Sequence, residues 1–367
     1  MPWPEIELGD VCEFKYGKSL AARDRDGGKF AVYGSNGVVG GHSTAITSGP
    51  TIIVGRKGSF GEVAYSECAC WPIDTTYYVD STSTKADLKW LAYRLEDLGL
   101  NKLNRAAAIP GLNRADAYRQ RLLLPPVDEQ RRIAAILDKA DALRAKRREA
   151  IAKLDQLLQS VFLEMFSGSD RGPMVAIGDI CEVKGGKRLP KGEDYSDSVT
   201  PFRYVRVSDV EMGHVHEENL RYLRPDVQQK IKRYTVSEGD LIISIAGTIG
   251  LVAPVETTLD GANLTENAAK IVPKDAGAYV SNYLSFALSM PDAQSQIRSQ
   301  TGQVTIGKLA LFRIEKVKVP LPPVEAQVRF SEIVRRTREQ AHTLRLSASQ
   351  LDSVFASLQH RAFSGTL

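Results

Sequence analysis

Two stretches of the chain repeat apolar residues every three or four positions over nearly forty residues. In the first, Ile133, Ile136, Leu137, Ala140, Leu143, Ile151, Leu154, Leu157, Leu158, Val161, Phe162 and Met165 carry the pattern. In the second it is carried by Phe330, Ile333, Val334, Ala341, Leu344, Leu351, Val354, Phe355 and Leu358. This spacing predicts two long amphipathic helices. Pro125-Pro126 blocks any earlier helix, Asp128 is placed to cap the first one, and Gly168 and Gly365 are natural stops. At 1.5 Å per residue each helix spans roughly 57 Å. A stripe that long needs a partner of similar length, and the other copy supplies it. With a globular segment between them in one chain, the two helices are expected to pair antiparallel.

The helices are part of a larger duplication. Leu124-Pro125-Pro126-Val127 through Phe166-Ser167-Gly168 recurs without a gap, at an offset of 197, as Leu321-Pro322-Pro323-Val324 through Phe363-Ser364-Gly365. The segment from Ile6 to Lys15, with Gly9-Asp10 and Cys12, recurs from Val175 to Lys184 at an offset of 169. The unit is therefore a globular part followed by a helix, with an approximate two-fold repeat, and the second globular part is longer by 28 residues. Both globular parts read as mixed and strand-rich. Thr51–Val54, Tyr77–Val79 and Leu241–Ile245 are β-branched or aromatic runs beside glycine turns, whereas 88–98 and 278–290 read as helical. The expected architecture is α+β: globular domains over 1–124 and 174–321, helices over 125–168 and 322–365, and a Gly- and Ser-containing linker at 167–173.

Composition narrows the picture only a little. A chain of 367 residues with a net charge of +4 permits a nucleic-acid partner without requiring one. Four cysteines in this length are not a disulfide framework. The N-terminus has neither the basic nor the apolar region of a signal peptide, and no apolar run reaches membrane-spanning length, so a cytoplasmic, soluble protein is expected.

Catalytic signatures are missing where they would be sought. There is no phosphate loop of the Gly-x4-Gly-Lys-Ser/Thr type. Leu124-Pro-Pro-Val127 lacks the polar residue and the aromatic that a base-flipping amino-methyltransferase loop needs, so it reads as a hinge and helix start. Glu13-x-Lys15 and Glu182-x-Lys184 match half of a metal-dependent nuclease site but lack the upstream carboxylate, and read as solvent-facing strand residues. Cys68-x-Cys70 has no second metal-binding pair, and the five histidines, including His214-x-His216, form no metal constellation.

Polar clusters are more suggestive. Glycine turns follow the Ile-Ile strands in both copies, at Gly55-Arg56-Lys57-Gly58-Ser59-Phe60-Gly61 and Ala246-Gly247-Thr248-Ile249-Gly250. Such turns either cradle a phosphate or merely need positive φ. Ser35-Asn36, Lys102, Asn104, Arg105, Asn113 and Arg114 in the first domain suit contact with base edges or backbone. So do Lys187, Arg188, Arg203, Arg206, Asn263, Thr265, Asn267, Gln300 and Gln303 in the second. Arginine pairs with guanine, and asparagine or glutamine with adenine.

Over essentially its whole length the chain resembles the specificity subunits of type I restriction–modification systems. The resemblance rests most on Leu124 to Leu143, a run that looks like that family's helix start, with Leu-Pro-Pro-x-x-x-Gln recurring at Leu321–Gln327. The frames at Gly9-Asp10 and Gly178-Asp179 and the Gly-x-x-Gly turns look like its target-recognition domains. The second copy departs where Glu129 becomes Ala326 and Arg131 becomes Val328. The resemblance implies a non-catalytic reader of double-stranded DNA, one half-site per domain, with the paired helices as spacer. It implies two methyltransferase (modification) subunits and restriction/translocase subunits as partners. No cofactor is expected in this chain; S-adenosylmethionine, ATP and Mg²⁺ belong to the partners. A protein scaffold with no DNA role, and a reader for a fused methyltransferase–nuclease, are the other readings.

Overall fold

The first long helix begins where proline stops forbidding it. In the computed structural model, which describes residues 3–103, 111–275, 277–300 and 308–367, it starts directly after Pro125-Pro126 and the second starts after Pro322-Pro323. The chain divides into two compact units, Met1–Ala150 with Leu344–Leu367, and Ile151–Thr343.

In the first unit β1 (Glu5–Glu7) leads through α1 (Leu8–Val11) to β2 (Lys15–Tyr16). Strands β3 (Phe30–Gly34), β4 (Gly37–His42), β5 (Thr51–Gly55), β6 (Val63–Ser66), β7 (Trp71–Pro72) and β8 (Thr76–Asp80) follow. Then come α2 (Leu88–Asp97), α3 (Arg114–Tyr118), β9 (Arg121–Leu123) and the long α4 (Val127–Met165). Strands pair in the orders β2-β8-β5-β6 and β4-β3-β7, and β1 pairs with β9 to bring both ends of the domain together.

The second unit repeats this plan. It runs through β10 (Met174–Ala176), α5 (Ile177–Ile180), β11 (Cys181–Gly185), β12 (Arg203–Val205), β13 (Val210–Glu211), β14 (His214–Val215) and β15 (Arg221–Tyr222). After α6 (Pro225–Ile231) come β16 (Leu241–Ser244), β17 (Val252–Pro254), β18 (Asn263–Leu264) and β19 (Ala268–Pro273). It closes with α7 (Ser281–Ser289), α8 (Pro291–Ser299), α9 (Leu311–Ile314), β20 (Lys318–Pro320) and the long α10 (Val324–Ser364). The sheet orders β11-β19-β16-β17 and β15-β12-β18, with β10 on β20, match the first unit strand for strand. In both three-stranded sheets the central strand has one antiparallel and one parallel neighbour. The β13–β14 hairpin and α6 are extra, and they account for much of the greater length.

The strand expectations hold, with ends displaced by a residue or so. The helix expected over 278–290 is shorter, since Val280 is still extended and Pro291 opens a separate helix that the sequence reading missed. Asp128 is not the cap. It lies inside the first turn of α4 and pairs with Arg131 at 3.2 Å.

A glutamine present in both copies anchors the start of each long helix. Gln130 is 2% exposed; its Nε2 donates to the Pro125 carbonyl at 2.8 Å and its Oε1 accepts the Asp87 backbone N–H at 2.8 Å. Gln327, 1% exposed, donates to the Pro322 carbonyl at 2.8 Å and accepts from the Val280 N–H at 3.0 Å. Asp87 and Val280 are the N-caps of α2 and α7. One buried carboxamide thus ties the start of each long helix to the start of its domain's own helix.

Each unit holds pieces of both long helices, and within each unit they run antiparallel. In the first, Arg132 Nη2 donates to the Leu367 carbonyl at 3.3 Å, while Arg144 further along pairs with Asp352 at 2.6 Å and lies 4.3 Å over the Phe355 ring. In the second, Phe162 and Phe166 meet Phe330 edge to face, with centroids 5.3 and 5.5 Å apart. Ile133, Leu137, Phe355 and Phe363 join the first unit's core with Leu8, Phe14, Ile52 and Trp90. Leu158, Phe162, Phe330 and Val334 join the second's with Leu241, Ile243 and Tyr283. Each such side chain contributes about 2 kcal/mol by burial. Leu143 and Leu157, expected in the buried stripe, are 55% and 51% exposed, so the helices are held chiefly where domain cores flank them. Among the described residues no helix is long and apolar enough to cross a membrane.

Replacing Gln130 by Ala strands a buried carbonyl and a buried N–H, which should cost ~2–3 kcal/mol. Urea unfolding should show an earlier transition, and amide exchange should quicken around Asp87. An unchanged transition would remove the carboxamide tie from the account.

Candidate nucleic-acid interface

In the first unit three loops meet on one backbone carbonyl. The Thr75 carbonyl accepts from Ser35 Oγ at 2.5 Å, from the Arg56 N–H at 2.9 Å and from the Lys57 N–H at 3.1 Å. Ser35-Asn36 form the turn between β3 and β4, and Arg56-Lys57 open the glycine turn after β5. The Leu112 N–H donates to the Arg56 carbonyl at 2.9 Å, which brings the approach to α3 to the same place. Gly61 has φ of 75°, and a Cβ there would meet the Asn101 nitrogen at 2.2 Å. In the second unit Gly250 has φ of 92°. The turn conformation by itself requires these glycines.

Side chains converge above this junction. The Arg56 guanidinium lies 5.0 Å from the Tyr16 ring centroid and 5.9 Å from that of Tyr77, and its Nη1 donates to the Asp74 carbonyl at 3.0 Å. Arg114 lies 5.3 Å from the same Tyr16 ring and donates to the Phe14 carbonyl at 3.3 Å. Tyr16 is 53% exposed. Among the described residues neither arginine has a carboxylate partner within ion-pair distance. Asn36, Lys57 and Ser59 are exposed nearby, and Lys102 is exposed on the turn beside Gly61. Asn113 serves the fold, its Oδ1 capping α3 by accepting the Ala115 N–H at 2.8 Å. Asn104 and Arg105 lie outside the described residues, as does Gln303.

The second unit builds the same junction from different side chains. The Asn267 carbonyl accepts the N–H groups of Ile245 and Ala246 at 2.8 and 3.2 Å, and the Leu309 N–H donates to the Ile245 carbonyl at 2.8 Å. Ile245 and Ala246 therefore occupy the places of Arg56 and Lys57. The strand partners Gly185 and Ala269 replace Tyr16 and Tyr77, and Leu311 opens α9 where Arg114 opens α3. Thr248 is exposed at the turn, and its carbonyl accepts from Ser244 Oγ at 2.6 Å.

Several polar residues singled out in the second unit are committed to the fold. Arg206 grips the fully buried Asp209 through Nε at 3.0 Å and Nη2 at 2.6 Å, and reaches the Asn219 carbonyl. Asn263 is 0% exposed and donates to the Ile231 carbonyl at 2.9 Å, so it has no surface to offer. Thr265 is buried against Glu266, which also holds the Arg188 Nε at 2.5 Å. Arg203 donates to the Thr258 carbonyl at 2.8 Å, and the Gln300 carbonyl takes a bond from Arg313. Lys187 is exposed and stands 5.8 Å from the Tyr234 ring. Tyr16 and Tyr77 were missed in the sequence reading. The signal for Tyr16 was the mismatch with Gly185 directly after the matched Glu-x-Lys.

Other candidate chemistry resolves as structure. Glu182 and Lys184 pair with each other at 2.5 Å on the exposed face of β11, and Lys15 reaches Asp80 at 3.1 Å. The equivalent thiols of Cys12 and Cys181 are buried, and burial pushes both up to about 12, holding them protonated. His216 sits between Glu211 and Glu218 at 2.9 and 3.1 Å. Among the described residues no three His, Cys, Asp or Glu side chains gather as a metal site.

The fold and this doubled junction define a two-unit protein in which one backbone frame carries different side chains in each unit. The chain belongs to the type I restriction modification DNA specificity domain family, whose sequence model matches residues 1–153 and 173–345. It is 29% identical over 148 residues to the type I restriction enzyme EcoBI specificity subunit of Escherichia coli, covering 40% of this chain and 30% of that protein. To the EcoprrI specificity subunit of the same organism it is 26% identical over 142 residues, covering 37% and 35%. These matches thus span about a third of the relatives' length. The fold is shared with the S subunit of the type I restriction-modification system of M. genitalium, at a TM-score of 0.63 and 17% identity over 98% of this chain and 96% of that one. A chain from a structure of type I R-M complex assembly matches at a TM-score of 0.53 and 17% identity, over 100% and 98%.

Arg206 and Arg56 should separate cleanly in thermal unfolding. Arg206→Ala leaves Asp209 buried without its counter-charge, which should cost about 3 kcal/mol, whereas Arg56→Ala gives up one carbonyl bond and its ring packing and should cost only about 1 kcal/mol. Equal effects would contradict these assignments.

Proposed function

We propose that this chain is the non-catalytic DNA-reading subunit of a type I restriction–modification complex in the cytoplasm, and that it reads a bipartite target with one half-site per unit. The observation that carries this reading is the loop junction built twice with different side chains. A shared frame exposes Tyr16 with Arg56 and Arg114 in one unit, and has Gly185, the buried Ile245 and Leu311 at the same places in the other. It cannot make the same contacts twice and so suits two unlike half-sites. Family membership supports the same reading. In this proposal two modification subunits bring S-adenosylmethionine and the adenine-methylating chemistry. Restriction subunits bring ATP-driven translocation and Mg²⁺-dependent cleavage. The chain itself supplies position and sequence choice. The antiparallel helices set the number of unread base pairs between the half-sites.

Co-expression with the neighbouring methyltransferase subunit, followed by mapping of N6-methyladenine in host DNA, tests the reading. A split motif with a fixed unread gap is expected. A continuous short motif, or none with a demonstrably active partner, would instead favour a scaffold or a fused-system reader.

The spacer role has its own test. Seven residues added to both α4 and α10 lengthen each helix by about 10 Å and keep the apolar stripe in phase. The modified motif should then carry a gap longer by about three base pairs at ~3.4 Å each, with both half-sites unchanged. An unaltered gap would refute the spacer assignment.

A further inference from the structure

We infer that Arg56 reads a guanine in the half-site of the first unit, presented on the ring of Tyr16 and flanked by Arg114; this rests on the DNA-reading role proposed above. The argument begins with what holds the guanidinium. Its backbone is pinned at both ends of the residue, N–H to Thr75 and carbonyl to the Leu112 N–H, both at 2.9 Å. One prong, Nη1, is anchored on the Asp74 carbonyl, and the plane rests against Tyr16 and Tyr77. Arginine has five donors, so most of the fork remains available after that anchor.

A contact to a phosphate needs charge near the strand but little angular precision, and exposed Lys57 next door meets that need. A guanine edge asks for more. Its O6 and N7 must be met by two donors in one plane, so a fork fixed before binding loses less freedom when it binds. Arg56 and Arg114 share the Tyr16 ring, and neither has a carboxylate to neutralise it among the described residues. Arg56 is the one whose backbone N–H and carbonyl are both bonded at the loop junction and whose fork has the shorter carbonyl anchor. Arg188 and Arg206 in the second unit are each held by a carboxylate instead. Tyr16 and Arg114 act on Arg56 as positioning residues: the ring is the platform, and Arg114 packs against the same ring. Ile245 at the matching place in the second unit cannot make this contact, so this guanine contact is made in the first unit's half-site alone.

The test uses the full chain assembled with its methyltransferase subunits. N6-methyladenine is mapped for the wild type, Arg56→Ala and Arg56→Lys, with thermal unfolding of each complex alongside. The expected result is that one guanine position in one half-site becomes degenerate, with discrimination there falling about 10- to 100-fold, while the other half-site and the gap are unchanged. That intact half-site serves as an internal control for folding. Arg56→Lys keeps the charge but not the two-pronged edge, so it should relax the same position with unfolding unaltered. If Arg56→Lys behaves as wild type, or if both variants lower methylation uniformly at an unchanged motif, Arg56 contacts backbone phosphate and the guanine assignment falls. A half-site that contains no guanine overturns it as well, leaving the split-target reading standing. A wild type with no split motif overturns the parent reading instead.

Discussion

The structure depends on a buried carboxamide used twice. The Pro125 and Pro322 carbonyls lie just ahead of the hydrogen-bond ladders of the long helices, and the domain helix alongside has an N-terminal N–H to place. A glutamine at the fourth helical residue meets both needs, because its side chain donates at one end and accepts at the other. Glutamate could not donate, and a hydrocarbon could do neither. Gln130 and Gln327 thus fix the entry of each long helix against α2 and α7, and they recur at matching places in both units. The direction of the long helices relative to the sheets follows from that entry.

From this fixed entry the cores take over. The apolar residues of α4 and α10 are buried deepest where a sheet and a domain helix close over them, and are more exposed elsewhere. A frame held so firmly tolerates divergence at its loops. The two junctions keep their backbone hydrogen bonds while every side chain named above them differs. That combination, constant geometry with variable chemistry, is what a family of readers requires. It also explains why several polar residues that look like base readers in the sequence are consumed inside: Arg206, Asn113 and Asn263 neutralise, cap or brace the loops that hold the surface in place.

Much of the plan was legible from one sequence. The duplication, the two helices and their Pro-Pro starts, and the strands beside the glycine turns are local or periodic signals, dictated by backbone sterics and by the three-to-four-residue spacing of a buried helical face. The exclusion of a phosphate loop needed no coordinates either. What tertiary structure decided was which polar groups are free. A lone arginine reads the same in sequence whether it grips Asp209, as Arg206 does, or rests on an exposed tyrosine, as Arg56 does. Partners distant in sequence, such as Tyr16 for Arg56 and Asp87 for Gln130, come together only when strands and helices from far-apart segments close on one core. Composition and periodicity record burial and local geometry; the meeting of side chains across the fold is set by packing, and that is where the candidate reading surface arises.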